Sequence, residues 1–222
     1  MNPLQSLDVL YINACVTYAS LSVSYFVLSK HNALNSHSSL SRRILFGVIA
    51  GLISLYLTRS KMYFTQEVYY SFEIVPMLLV TFFGGGIAGI TAWLVNFATT
   101  GGFVLDNLLL AVMLVPVLIA KVWERNTFRT YLKTIVFITL YRVVIVLPFL
   151  HTKDHVLDIL LYQTVSFICL LVCYQTLSIK RRSVDAFFKV RAASLLDPMT
   201  KVHNRQALEQ QMQALSKSRS PC

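Results

Sequence analysis

The side chains of this sequence best placed for chemistry are polar groups that fall inside or beside long apolar runs. Arg142 stands near the middle of Ile138-Thr139-Leu140-Tyr141-Arg142-Val143-Val144. A charge at the centre of a membrane helix costs about 2.5–3.5 kcal/mol on insertion scales, so it implies a partner or a task. Glu73, just ahead of Ile74-Val75-Pro76, and Asp106, beside Asn107, are the nearest countercharges in prospect. Asn96 adds an intramembrane amide, followed by Thr99-Thr100-Gly101-Gly102, a turn whose backbone a ligand can approach closely. Glu73, Asn96, Asp106 and Arg142 are therefore the candidate ligand-binding residues. A structural ion pair is the competing role for Arg142, and close helix packing is the competing role for the glycines.

No catalytic residue and no metal site is expected. Cys15, Cys169 and Cys173 lie inside apolar runs and Cys222 lies in the tail, with neither a disulfide framework nor zinc-ligand spacing. Cys169 and Cys173 share a helical face and read as small packing residues. Tyr63, Phe64, Tyr69, Tyr70 and Phe72 read as an interfacial aromatic belt.

The elements that must position these groups are membrane helices. Hydrophobic residues make up 55% and charged residues 14% of the 222 positions, whereas soluble domains carry about 25% charged residues. Apolar runs cover approximately 7–28, 44–57, 72–83, 87–98, 108–120, 134–150 and 156–177. No Lys or Arg precedes the first run and no small-residue cleavage site follows it, so it is expected to remain as a span. The third and fourth runs are each too short to cross the bilayer alone. Gly84-Gly85-Gly86 separates them and Pro76 lies in the third, which leaves one long kinked helix or a tight helical hairpin, and six or seven segments.

Loop charge favours the hairpin. It places Lys30, Arg42, Arg43, Lys121, Arg125, Arg129 and Lys133 on the cytoplasmic side and Arg59, Lys61 and Lys153 outside, seven against three; one continuous helix gives six against four. The expected fold is thus an all-α, polytopic transmembrane bundle with an external N-terminus and a cytoplasmic C-terminus. The net charge of +10 is a consequence of this asymmetry and of a basic tail, which argues against a nucleic-acid partner.

After the last run, Ser178-Ile179-Lys180-Arg181-Arg182 has the pattern of a stop-transfer sequence, and the chain continues without Gly or Pro until Pro198. The last membrane helix is expected to extend into the cytoplasm. From Lys180 onward there are nine Lys or Arg against three acidic residues, and attraction to anionic headgroups supplies about 1 kcal/mol per basic residue near the surface. Ile179, Val184, Phe187, Phe188 and Leu195 form a partial apolar stripe suited to a parallel homodimer, or to an amphipathic helix lying on the lipid. The expected organisation is a transmembrane sensor domain over 1–178, a signalling helix over 179–196 and a further fragment over 197–222.

That fragment opens Leu195-Leu196-Asp197-Pro198-Met199-Thr200-Lys201-Val202-His203-Asn204-Arg205-Gln206-Ala207-Leu208. It closely resembles the opening of GGDEF domains, D-x-L-T-G-L-x-N-R, with Asp197, Pro198, Thr200, Asn204, Arg205, Ala207 and Leu208 matching. Met199 and Val202 are apolar substitutes, and Lys201 replaces the usual glycine. The resemblance implies an α/β GGDEF domain that joins two GTP molecules into cyclic di-GMP, with Mg2+ and GTP bound only by a complete domain. Its acidic metal ligands and phosphate-facing glycine turn do not follow Arg205, so this chain is expected to hold no cofactor and to be inactive as a cyclase by itself.

The membrane region is similar to LytS-type multi-helix sensor regions found ahead of bacterial GGDEF and histidine kinase modules. The resemblance rests on Val75-Pro76-Met77-Leu78-Leu79 leading to Phe82-Phe83-Gly84-Gly85-Gly86-Ile87-Ala88-Gly89. It implies a bacterial inner-membrane module that passes a small-molecule or envelope signal to a cytoplasmic GGDEF domain. The same Pro and Gly-x-x-x-Gly pattern resembles substrate-binding components of vitamin transporters, which implies a small-molecule binding or transport component instead.

Overall fold

The computed structural model of the chain describes residues 3–30, 32–60, 62–63, 69–103, 105–125, 127–146 and 156–194. Apart from one short hairpin, the described elements are helical. They run α1 (Pro3–Leu28), α2 (Leu40–Arg59), β1 (Met62–Tyr63), β2 (Tyr69–Tyr70), α3 (Ile74–Gly84), α4 (Gly86–Thr99), α5 (Leu105–Ile119), α6 (Val122–Arg125), α7 (Phe128–Val146) and α8 (Val156–Ser194). The two strands pair antiparallel, Met62 with Tyr70 and Tyr63 with Tyr69. The chain forms two compact units, Met1–Ser178 and Ile179–Cys222.

Three helical stretches, Asp8–Leu28, Leu40–Arg59 and Ile159–Ala192, are long and apolar enough to cross a membrane. The 20 residues of α2, at 1.5 Å per residue, reach about 30 Å, the thickness of the hydrocarbon core. Apolar side chains cover the outside of the helices as well as the core. On α1 the buried face carries Asn13, Thr17 and Ser22 among Leu10, Leu21 and Tyr25, while Val23, Phe26 and Val27 are exposed. Exposed apolar rows recur on α5 and α7, with Ile119 at 76% and Leu140 at 60%. Such continuous apolar surface is tolerated where lipid, not water, surrounds it.

At the centre of the first unit stands α3, every residue of which is buried. Pro76 falls in its first turn, where the missing N–H would have had no helical partner. The helix stops at Gly85, whose φ of 83° favours glycine, and α4 begins at the next residue. The two are separate helices folded back on one another, not one kinked helix: a Cβ built at Gly89 would overlap Thr81 Oγ1. Arg43 of α2 fixes the reversal by donating from Nε to the Gly84 carbonyl at 2.8 Å.

Packing of α2 against α4 depends on Gly47 and Gly51, one turn apart. A Cβ at Gly47 would lie 2.5 Å from the Ala88 carbonyl oxygen and 2.7 Å from Thr91 Cβ; one at Gly51 would lie 2.6 Å from Val95 Cβ. This is the small-residue approach that lets membrane helices gain dispersion contact without a hydrophobic driving force. Near the α3 C-terminus the core is aromatic. Tyr131 and Tyr174 stack at 4.0 Å, and Phe82 meets both rings edge-on. The opposite end of the same core is polar.

Candidate functional site

Glu73 immediately precedes α3, where the helix dipole favours a carboxylate. It is 5% exposed, so its charge must be met by donors from neighbouring elements. The last turn of α2 supplies Thr58, whose Oγ1 lies 2.7 Å from Glu73 Oε2. The end of α4 supplies Asn96 Nδ2 at 3.2 Å, and the residue two positions earlier supplies Ser71 Oγ, which donates to Oε1. Ser54 donates to the Glu73 carbonyl at 2.9 Å.

Asn96 also donates from Nδ2 to Asn107 Oδ1 at 3.3 Å. Asn107 closes the α4–α5 turn by donating to Thr100 Oγ1 and to the Gly102 carbonyl, both at 2.8 Å. Trp93 Nε1 donates to the Asn107 carbonyl at 3.1 Å. The Thr99-Thr100-Gly101-Gly102 turn is thereby committed to holding Asn107 in place, with positive φ at Gly101 and Gly102.

Arg142 enters from α7 and is 7% exposed. Its Nη2 donates to Tyr162 Oη at 2.7 Å and to the Ser71 carbonyl at 3.1 Å, and Nη1 lies 3.4 Å from Ser166 Oγ. The guanidinium carbon is 5.0 Å from the Tyr162 ring centroid, a cation–π contact. Tyr162 Oη in turn donates to the Ser71 carbonyl, and its ring meets Phe72 edge-on at 5.3 Å.

Three of the four sequence candidates, Glu73, Asn96 and Arg142, thus share one polar region. The expected countercharges Glu73 and Arg142 are linked through Ser71, whose hydroxyl serves the first and whose carbonyl serves the second. Asp106 belongs to the first turn of α5, but its side chain lies outside the described residues. So do Asp197, Pro198, Thr200, Asn204 and Arg205, and with them the whole GGDEF-like fragment.

Ser54, Thr58, Ser71, Asn107, Tyr162 and Ser166 complete the region without having been singled out from sequence. Two of the pairs carried a readable signal. Ser54 with Thr58, and Tyr162 with Ser166, are polar residues four apart in apolar-rich stretches, which places each pair on one face. Ser71 contributes a carbonyl, which no sequence pattern marks.

Not every buried polar atom in this core is satisfied. Among the described residues, Asn96 Oδ1, Asn13 Oδ1 and both ends of the Gln163 amide have no hydrogen-bond partner. Gln163 follows Tyr162 on α8 and is 5% exposed. An unpaired buried polar group costs about 1–3 kcal/mol, so these atoms weaken the arrangement seen here. Cys169 and Cys173 lie side by side on α8 with their sulfurs 3.9 Å apart. Among the described residues, no group of three His, Cys, Asp or Glu side chains converges as a metal site.

Chemically the region offers a guanidinium, a carboxylate, hydroxyls and amides, a set able to exchange hydrogen-bond partners with one another. Compared with protein-family models, with curated proteins and with solved structures, the chain matches none.

Proposed function

We propose that the chain is a sensory input module of a bacterial inner membrane, in which a small polar signal acts on the buried network and α8 relays the change to a cytoplasmic GGDEF domain. The observation that carries the proposal is the meeting of the Arg142 network with α8. Tyr162 and Ser166, two partners of Arg142, belong to the helix that extends to Ser194, where the GGDEF-like sequence begins. A signal that changes the partners of Arg142 or engages the Gln163 amide therefore bears directly on α8. Such a relay works only if the signal binds two arrangements with different affinity.

The proposal includes seven membrane segments, with α3 and α4 paired as a hairpin within the bundle and the C-terminus in the cytoplasm. The α3–α4 reversal beside Arg43 and the seven-to-three loop charge distribution support this count. It also includes a parallel homodimer through α8. Ile179, Phe187 and Val190 are 53%, 61% and 70% exposed and fall within one side of the helix, a row that a second copy would cover.

The direct test is to join the chain in frame to a complete GGDEF domain and measure cyclic di-GMP in cells. Arg142→Lys and Tyr162→Phe are expected to shift the output at equal protein level. Output indifferent to both sinks the sensory reading.

A binding or transport component is the second reading, favoured by the buried Asn96 Oδ1 and Gln163 amide, which have no hydrogen-bond partner. It requires solute uptake, or a ligand that copurifies with the chain alone.

A further inference from the structure

We propose that a groove between α5, α6 and α7 is a binding site for an anionic phospholipid, with one acyl chain in the groove and the phosphate at Lys133. The groove has a volume of about 310 Å³ and is walled by Pro116, Val117 and Phe137, with Thr130, Lys133 and Thr134 as its polar members. It lies among exposed apolar side chains: Ile119 is 76% and Phe137 47% exposed.

The shape follows from local sequence. Pro116 inside α5 removes one N–H from the helical ladder and crowds the preceding turn. The helix ends at Ile119, and the chain turns at Lys121, with φ of 45°, into the four-residue α6. A short helix standing where a longer one would fill the space leaves an opening against the first turns of α7.

Charge decides the occupant. Lys121, Arg125, Arg129 and Lys133 gather at this end against one carboxylate, Glu124, which Lys121 already approaches at 3.9 Å. Arg129 precedes Lys133 by one helical turn and places a second cation on the same face. The hydroxyls are engaged locally, Thr134 with the Thr130 carbonyl at 2.9 Å and Thr130 with Thr127, so the lysine is the group left to set headgroup preference. A zwitterionic headgroup brings its own ammonium against these cations; an anionic one does not. Basic pockets between membrane helices select anionic headgroups for this reason.

The test uses the full chain in nanodiscs of equal phosphatidylglycerol and phosphatidylcholine, with native mass spectrometry of the lipids retained on transfer to detergent. Phosphatidylglycerol is expected to be enriched, and Lys133→Gln to lower the enrichment about fivefold, the equivalent of one basic contact. Lys133→Arg keeps it, Ala120→Trp at the groove wall reduces both lipids, and Lys189→Gln, outside the groove, changes nothing. Equal retention of the two lipids by the unaltered chain overturns the proposal. So does an equal loss from Lys133→Gln and Lys189→Gln, which would reduce the effect to general surface charge.

Discussion

Arg142 donates to the backbone carbonyl of Ser71, a residue 71 positions earlier in the chain, at 3.1 Å. The contact ties α7 to the segment leading into α3, and the hydroxyl of the same serine holds Glu73. A cation and a carboxylate are thus satisfied through one intermediate residue, each with further neutral donors or acceptors. That arrangement meets the requirement that buried charges be hydrogen-bonded as well as compensated.

Removing the Glu73 side chain takes an acceptor from three donors, of which Thr58 keeps the Ser54 carbonyl and Asn96 keeps Asn107 Oδ1. Glu73→Ala is expected to destabilise the chain by about 2–3 kcal/mol, since Thr58, Ser71 and Asn96 lose a buried charged acceptor. Glu73→Gln keeps one acceptor oxygen and should cost less. Unfolding in mixed micelles separates the two, and equal losses would show that the acceptor positions are immaterial.

Arg142 and Tyr162 should be energetically coupled. Tyr162→Phe removes the hydroxyl that accepts from Nη2 and donates to Ser71, and Arg142→Lys replaces a planar fork by a point charge. A double-mutant cycle is expected to give a coupling of about 0.5–3 kcal/mol, as residues in one network do. Additive losses would count against a shared network.

Gly47→Ala should separate α2 from α4. Its Cβ has only 2.5 Å to the Ala88 carbonyl, and backbone cannot yield as a side chain can. Overpacking of this kind costs about 1–3 kcal/mol. Helix proximity measured between spin labels on α2 and α4 should lengthen in the variant and remain unchanged in a control at exposed Leu52.

The α3–α4 reversal admits a rescue experiment. Gly89→Ala is expected to destabilise the hairpin because its methyl meets the Thr81 side chain, and Thr81→Ala removes the atoms in conflict. The double variant should therefore recover part of the loss by about 1 kcal/mol or more, a coupling typical of residues in contact. A double variant no more stable than Gly89→Ala alone would place the strain elsewhere.

Much of the helical framework can be read from the residues in order. The apolar run 44–57 becomes α2, Gly84-Gly85-Gly86 marks the break between α3 and α4, and the lack of Gly or Pro between residue 177 and Pro198 agrees with α8 continuing to Ser194. These features are local, set by hydropathy over a helical length and by the backbone preferences of glycine and proline. Arg142 likewise stands out because its cost in an apolar run is visible without a fold.

The sequence by itself determined that helices would form, where several of them end, and which polar side chains needed partners. Only the tertiary structure decided who those partners are. Ser71 is unremarkable as a residue type, yet its carbonyl and hydroxyl join Arg142 to Glu73. Gly47 and Gly51 become the floor of a helix contact because Ala88 and Val95 arrive above them. A carbonyl carries no signature in the alphabet of side chains, and a contact across 71 positions has no period to detect, so both emerge only when the helices pack.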